Sequence, residues 1–122
     1  MRGRTQRGRG SKTTADNWRE FYEADVLSAV RMIKAVAPHM REIGWGRIIN
    51  IGTGMATTPQ PVMADYAAAK AALVNASVSL AKALAGTGIT VNTISPGLIG
   101  TEGVERSCAR RHRRKTGARI GK

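Results

Sequence analysis

The sequence predicts an α/β chain built on a parallel sheet, in the order helix, then one strand–helix–strand unit. Three observations predict it. "GRIINIG", Gly46 to Gly52, is short, rich in β-branched residues and bounded by glycines, which reads as a strand buried on both faces, the pattern of a parallel sheet. A run rich in alanine, the best helix former, follows from about Met63 to Ala85. "ITVNTIS", Ile89 to Ser95, is a second strand stopped by Pro96-Gly97. A strand, a crossover helix and a strand make one right-handed parallel unit. Two strands are too few for a stable sheet of this kind, so further strands are expected to complete it.

Ahead of this unit, apolar residues recur at helical spacing from Trp18 to about Met40: Phe21, Val26, Val30, Ile33 and Val36. The ordered part is expected to begin near Asp16–Asn17, where Asn17 and Glu20 approximate a capping box. A break into two helices is expected around Ala24–Asp25, and Pro38 and Gly44 mark where helicity weakens and stops. In the alanine-rich helix, Asp65 near the start and Lys82 near the end suit the helix dipole, and Gly86 suits its C-terminal cap. Leu73, Leu80 and Leu84 define one face, and Val74, Val78 and Ala81 another, so packing on both sides is expected.

The net charge of +12 over 122 residues resembles that of a nucleic-acid binder until it is divided along the chain. Residues 1–15 carry five basic residues and no acid, and 106–122 carry eight and no acid. Residues 16–105 carry seven basic and eight acidic residues, a net charge of −1. Both basic segments are nearly devoid of large apolar side chains and are expected to be disordered tails flanking one ordered region, 16–105. Their cations could release counterions from a phosphate backbone, but they carry no aromatic residue to stack on bases, so any nucleic-acid binding is expected to be non-specific. The single cysteine, Cys108, excludes an internal disulfide. No apolar run approaches the ~18–20 residues of a membrane span, and no apolar core follows the basic N-terminus, so a cytoplasmic location is expected. His39 and His112 have no partner at metal-ligand or triad spacing, and no metal is expected.

Candidate chemistry gathers at one rim. Thr53 lies just past the end of the first strand, where open parallel sheets place their ligands. Tyr66 and Lys70, in "ADYAAAKAAL", stand four residues apart and so share a helix face. By itself that spacing also fits a packed tyrosine and a solvated lysine. With Thr53 and "SPGLIGT" on the same side, the set suits proton transfer. A free tyrosine titrates near pH ~10, and an adjacent ammonium favours the phenolate. A neighbouring hydroxyl can hold a carbonyl or alcohol oxygen while the proton moves, and the hydride must come from a cofactor.

"GRIINIGT", then Tyr-x-x-x-Lys with Tyr66 thirteen residues beyond Thr53, then "ITVNTISPGLIGT" together resemble the C-terminal half of short-chain dehydrogenases/reductases, over about Trp18 to Glu105. The resemblance implies part of a Rossmann-like, doubly wound fold and an NAD- or NADP-dependent oxidoreductase acting on a small carbonyl/alcohol substrate. It implies Tyr66 as general acid/base, Lys70 as its activator and ribose ligand, and Thr53 at the position of the family's catalytic serine. Asp25 falls where the family has the asparagine of its proton relay. Pro96, Gly97, Ile99 and Thr101 match the segment beside the nicotinamide. The helices at 25–40 and 63–85 match those that pair between subunits, so a homo-oligomer is expected.

The family's Gly-rich pyrophosphate turn has no counterpart in the sequence: "RGRGSK" follows no strand, and "GTGMAT" lacks the third glycine. The sequence also departs abruptly from the family after "GTEGVE", as out-of-frame reading of a GC-rich gene would produce. The chain is therefore expected to be a truncated or frameshifted piece of such an oxidoreductase, inactive alone because hydride transfer requires bound cofactor. The alternatives are a non-catalytic fragment that oligomerises, and the non-specific nucleic-acid binder.

Overall fold

A computed structural model describes residues 13–105. Helix α1 runs Ala15–Tyr22, passes through a π-helical turn at Glu23–Leu27, and continues as α2, Ser28–Glu42. Strand β1, Gly46–Ile51, leads through a 3-10 turn, Gly54–Ala56, to α3, Ala64–Ala83, and then to β2, Ile89–Ile94. The strands pair in parallel, with Gly46 opposite Ile89 and Ile51 opposite Ile94. The strand–helix–strand unit of a partial Rossmann-like sheet is thus present, with each element within two residues of its sequence-based bounds except α2. The predicted helix at 25–40 is a π-turn followed by α2, and the one at 63–85 is α3. The basic segments lie outside the described residues, apart from Thr13, Thr14 and Ala15.

The first helix starts earlier than its sequence suggests. Thr14, not Asn17, is the cap: its side chain accepts the Asn17 N–H at 3.3 Å, and the Asn17 Oδ1 accepts the Thr14 N–H at 3.0 Å. Asparagine serves here as the reciprocal partner of a capping box, a place usually held by Glu or Gln. Pro38 does not end α2 either; it lies inside the helix, which stops at Glu42 before Gly44 at φ 67°. The carbonyl that Pro38 leaves unpaired belongs to Lys34, an exposed residue that water can reach.

One face of the sheet is buried. Ile48, Ile89 and Val91 pack with Leu84, which is 1% exposed, against Ile33, Met40 and Leu80. A second cluster joins Val26 of the π-turn to Ala69 and Leu73 of α3, with Phe21 and Ala29 alongside. Two expectations of two-sided burial fail together. Ile49, Ile51 and Ile94 face outward with more than half of their surface exposed, and so does Val78 of α3. Among the described residues, helices cover the sheet from one side, so side chains alternate between core and solvent as strand pleating requires.

Candidate active site

The site forms at the C-terminal ends of the strands. Lys70, two turns into α3, donates from Nζ to the carbonyl of Ile51, the last residue of β1, at 2.9 Å. The same ammonium is 2.9 Å from Asp25 Oδ1, with the two side chains only 13% and 19% exposed, respectively. It also lies 5.9 Å from the centre of the Tyr66 ring. Three expected residues, Asp25, Tyr66 and Lys70, therefore meet around one cation, and the Ile51 carbonyl fixes that cation to the rim.

Each position has a local cause. Alanine on all sides keeps α3 regular, so Tyr66 and Lys70 project from one face. The Tyr66 ring packs edge-on against Phe21, with centroids 5.7 Å apart at 66°. Asp25 reaches Lys70 from the π-turn, whose extra residue turns both Asp25 and the buried Val26 toward α3. Glu23 of the same turn is paired with Arg31, and the bond that the guanidinium donates to the carboxylate raises the Arg31 pKa above its ordinary value.

Thr53 lies two residues beyond Ile51 in extended conformation (φ −158°, ψ 150°) and caps the 3-10 turn, its Oγ1 accepting the Met55 N–H at 3.3 Å. The hydroxyl proton is not used in that bond. The strand-following loops are tied together, Gly52 N–H to Ile94 carbonyl at 2.7 Å and Gly54 N–H to Pro96 carbonyl at 3.2 Å. Pro96 is thereby brought to the Thr53 loop. Beyond it, Gly97 has open space where a side chain would stand, Ile99 is 64% exposed, and the Thr101 hydroxyl accepts the Val104 N–H. The structure thus joins Pro96 to the rim and leaves Ile99 open to solvent.

Two participants escape sequence reasoning. Asp65, read only as a dipole partner, is 4% exposed and accepts the Tyr66 N–H at 2.9 Å, anchoring the start of α3. The Ile51 carbonyl is a backbone group, and no residue type announces it. The acid immediately before the tyrosine was the available signal for the first; nothing signalled the second.

Solved structures identify the class. The chain superposes on acetoin dehydrogenase from Enterobacter cloacae with a TM-score of 0.75 and 32% identity, covering 88% of this chain and 43% of that one. It superposes on NAD+-bound xylitol dehydrogenase with a TM-score of 0.75 and 29% identity, covering 84% of this chain and 40% of that one. The family described as short chain dehydrogenase matches residues 2–111, further at both ends than the resemblance over 18–105. The chain belongs to the short-chain dehydrogenase family, a family of oxidoreductases. Its relatives include the 3-oxoacyl-[acyl-carrier-protein] reductase FabG of Salmonella typhimurium, 44% identical over 87 residues (71% of this chain, 36% of that protein). Another is the uncharacterized oxidoreductase YvrD of Bacillus subtilis, 38% identical over 91 residues (75% of this chain, 35% of that protein). The chain spans about a third of the length of these curated relatives.

Proposed function

We propose that this chain carries the proton-transfer side of an NAD- or NADP-dependent oxidoreductase acting on a small carbonyl/alcohol pair. The observation that carries the reading is the Lys70 ammonium, held at the end of β1 and against the Tyr66 ring. Tyr66 gives its proton to a carbonyl oxygen in reduction and takes one from an alcohol in oxidation. Thr53, whose hydroxyl proton is free of its turn, donates to the same substrate oxygen and holds it in place.

The residues fit a nicotinamide nucleotide at its nicotinamide end. An ammonium has three N–H donors, and Lys70 spends two, on Asp25 and Ile51, leaving one for a ribose hydroxyl. Pro96, Gly97, Ile99 and Thr101 form the strand-following segment assigned to the nicotinamide side. Bound there, the cofactor supplies or accepts the hydride. A solved neighbour supports this choice, since the xylitol dehydrogenase has NAD+ bound.

Self-association is part of the same reading. Trp18, Tyr22 and Leu27, flanked by Arg19, Glu20 and Glu23, line an open apolar groove on the outer side of α1 and the π-turn. Met32 and Val36 continue the exposed apolar surface along α2. This surface suits helix pairing between subunits. No helix among the described residues is long and apolar enough to cross a membrane. The nucleic-acid alternative rests on cations outside the described residues and gains no support from the structure.

The test is binding of NADH and NADPH by fluorescence, with turnover of a carbonyl substrate followed alongside. Tyr66→Phe keeps the ring against Phe21; it is expected to retain cofactor binding and to lose turnover by about 10²–10⁴-fold. Lys70→Met is expected to weaken binding itself. A chain that binds neither cofactor yet runs as an oligomer in light scattering would replace this reading with that of a non-catalytic, self-associating fragment.

A further inference from the structure

We infer that Ser77 and Asn50 are positioning residues: their hydrogen bond fixes where α3 lies along β1 and thereby holds Lys70 at the rim. The inference deepens the proposed function and rests on the role given there to Lys70. Ser77 stands in the second half of α3 and is 4% exposed. Its Oγ donates to the Leu73 carbonyl at 2.7 Å and accepts from Asn50 Nδ2 at 2.8 Å. The first bond is local to the helix. The second crosses to β1 and joins residues 27 apart in the chain.

Lys70 precedes Ser77 by two turns, and residues at that spacing return to nearly the same helix face. Helix α3 is thus fastened to β1 at two polar points, Ser77 to Asn50 and Lys70 to the Ile51 carbonyl. Asn50 and Ile51 are consecutive, so both ties bear on one short stretch of strand. The other contacts of α3 are apolar: Ala69 and Leu73 against Val26, and Leu80, Ala81 and Leu84 against Ile48 and Val91. Such contacts have no preferred direction, whereas a hydrogen bond weakens steeply with distance and angle. The layers also meet closely at this level. A Cβ built on Gly52 would come within 2.9 Å of Thr93 Cγ2 and 3.5 Å of Val74 Cγ2. A slip of α3 along β1 would draw Lys70 off the Ile51 carbonyl, and the Ser77–Asn50 bond opposes that slip. Thr93, opposite Asn50 across the strands, supplies the contrast. Its hydroxyl is buried too, but has no hydrogen-bond partner among the described residues and so ties nothing together.

Lysine acylation read by mass spectrometry tests this at one fixed pH, with no cofactor or substrate. The Lys70 side chain is 13% exposed and reacts through local opening, whereas Lys34 and Lys82 are exposed and act as references within the same chain. In Ser77→Ala the Lys70 rate relative to these references is expected to rise about five-fold, the effect of one net hydrogen bond on an opening equilibrium. Ser77→Thr keeps the hydroxyl and is expected to return to the parent ratio. Thr93→Val removes the unbonded hydroxyl and is expected to leave the ratio unchanged. An unchanged ratio in folded Ser77→Ala overturns the inference. So does a failure of Ser77→Thr to restore it, or an equal rise in Thr93→Val. If Ser77→Ala loses its helical circular dichroism, Asn50→Ala decides instead, because Ser77 there keeps its bond to Leu73. A rise of about five-fold then supports the inference, and the parent ratio overturns it. The oxidoreductase reading is untouched by any of these outcomes, since it stands or falls on cofactor binding and turnover.

Discussion

The two ends of the sheet are built by different physics. At the N-terminal end of the strands the contacts are backbone against backbone. Gly88 lies at φ 77°, and a Cβ built on it would come within 1.9 Å of the Gly44 carbonyl oxygen. The Gly46 N–H donates to the Gly88 carbonyl, and a Cβ on Gly46 would press into Met40. At the C-terminal end the backbone ties of Gly52 and Gly54 are joined by polar side chains: Asp25 with Lys70, Lys70 with the Ile51 carbonyl, and Thr53 with its own turn. One end closes the unit by excluding side chains, and the other holds it open at the rim with charges and hydroxyls. Ligands in open parallel sheets sit beyond the carboxyl ends of the strands, and here that end also carries the groups proposed to move a proton.

Three substitutions test this division. The largest effect is expected from Gly88→Ala, which meets both a left-handed backbone and an occupied space. A loss of at least about 3 kcal/mol in urea unfolding is expected. A near-neutral result would show that the N-terminal end can give way and would erase the contrast. Lys70→Met, at the other end, leaves the Asp25 carboxylate and the Ile51 carbonyl without their shared partner. Its expected cost is about 2 kcal/mol, between the values for exposed and fully buried pairs, together with weakened cofactor binding. A Lys70→Met chain as stable as its parent would mean that the pair contributes charge arrangement alone. The smallest effect belongs to Arg47→Ala. Arg47 stacks on Trp45 at 5.1 Å and donates to the Gly46 and Gly88 carbonyls from the open side of the sheet. Less than about 1 kcal/mol is expected, because water replaces those bonds.

The α2 region shows how local rules and packing divide the outcome. The residue that should break the helix, Pro38, is absorbed where its unpaired carbonyl faces water. The irregularity falls instead at Glu23–Leu27, a stretch with neither glycine nor proline. A break near Ala24–Asp25 was expected from the sequence, and an irregularity does fall there, within a continuous helical run. Its form, a π-turn, was not, since that depends on α3 offering Ala69 and Leu73 to Val26 and Lys70 to Asp25. Two-sided burial of "GRIINIG" was misread for a related reason. β-branched residues describe what a strand can bury, and only the neighbouring layers determine which face is covered.

The sequence by itself determined the order of strand, helix and strand, the shared helical face of Tyr66 and Lys70, the glycine-marked ends of α2 and α3, and the family. All of these follow from periodicity, propensity and motif spacing, which act within a few residues. Only the tertiary structure decided that Asp25 would pair with Lys70, that the Ile51 carbonyl would tether the same ammonium, and that Asp65 would be buried at the start of α3. Those contacts join residues far apart in the chain or depend on what covers them. They exist because closing the parallel pair brings the π-turn, the end of β1 and the first turns of α3 to one place.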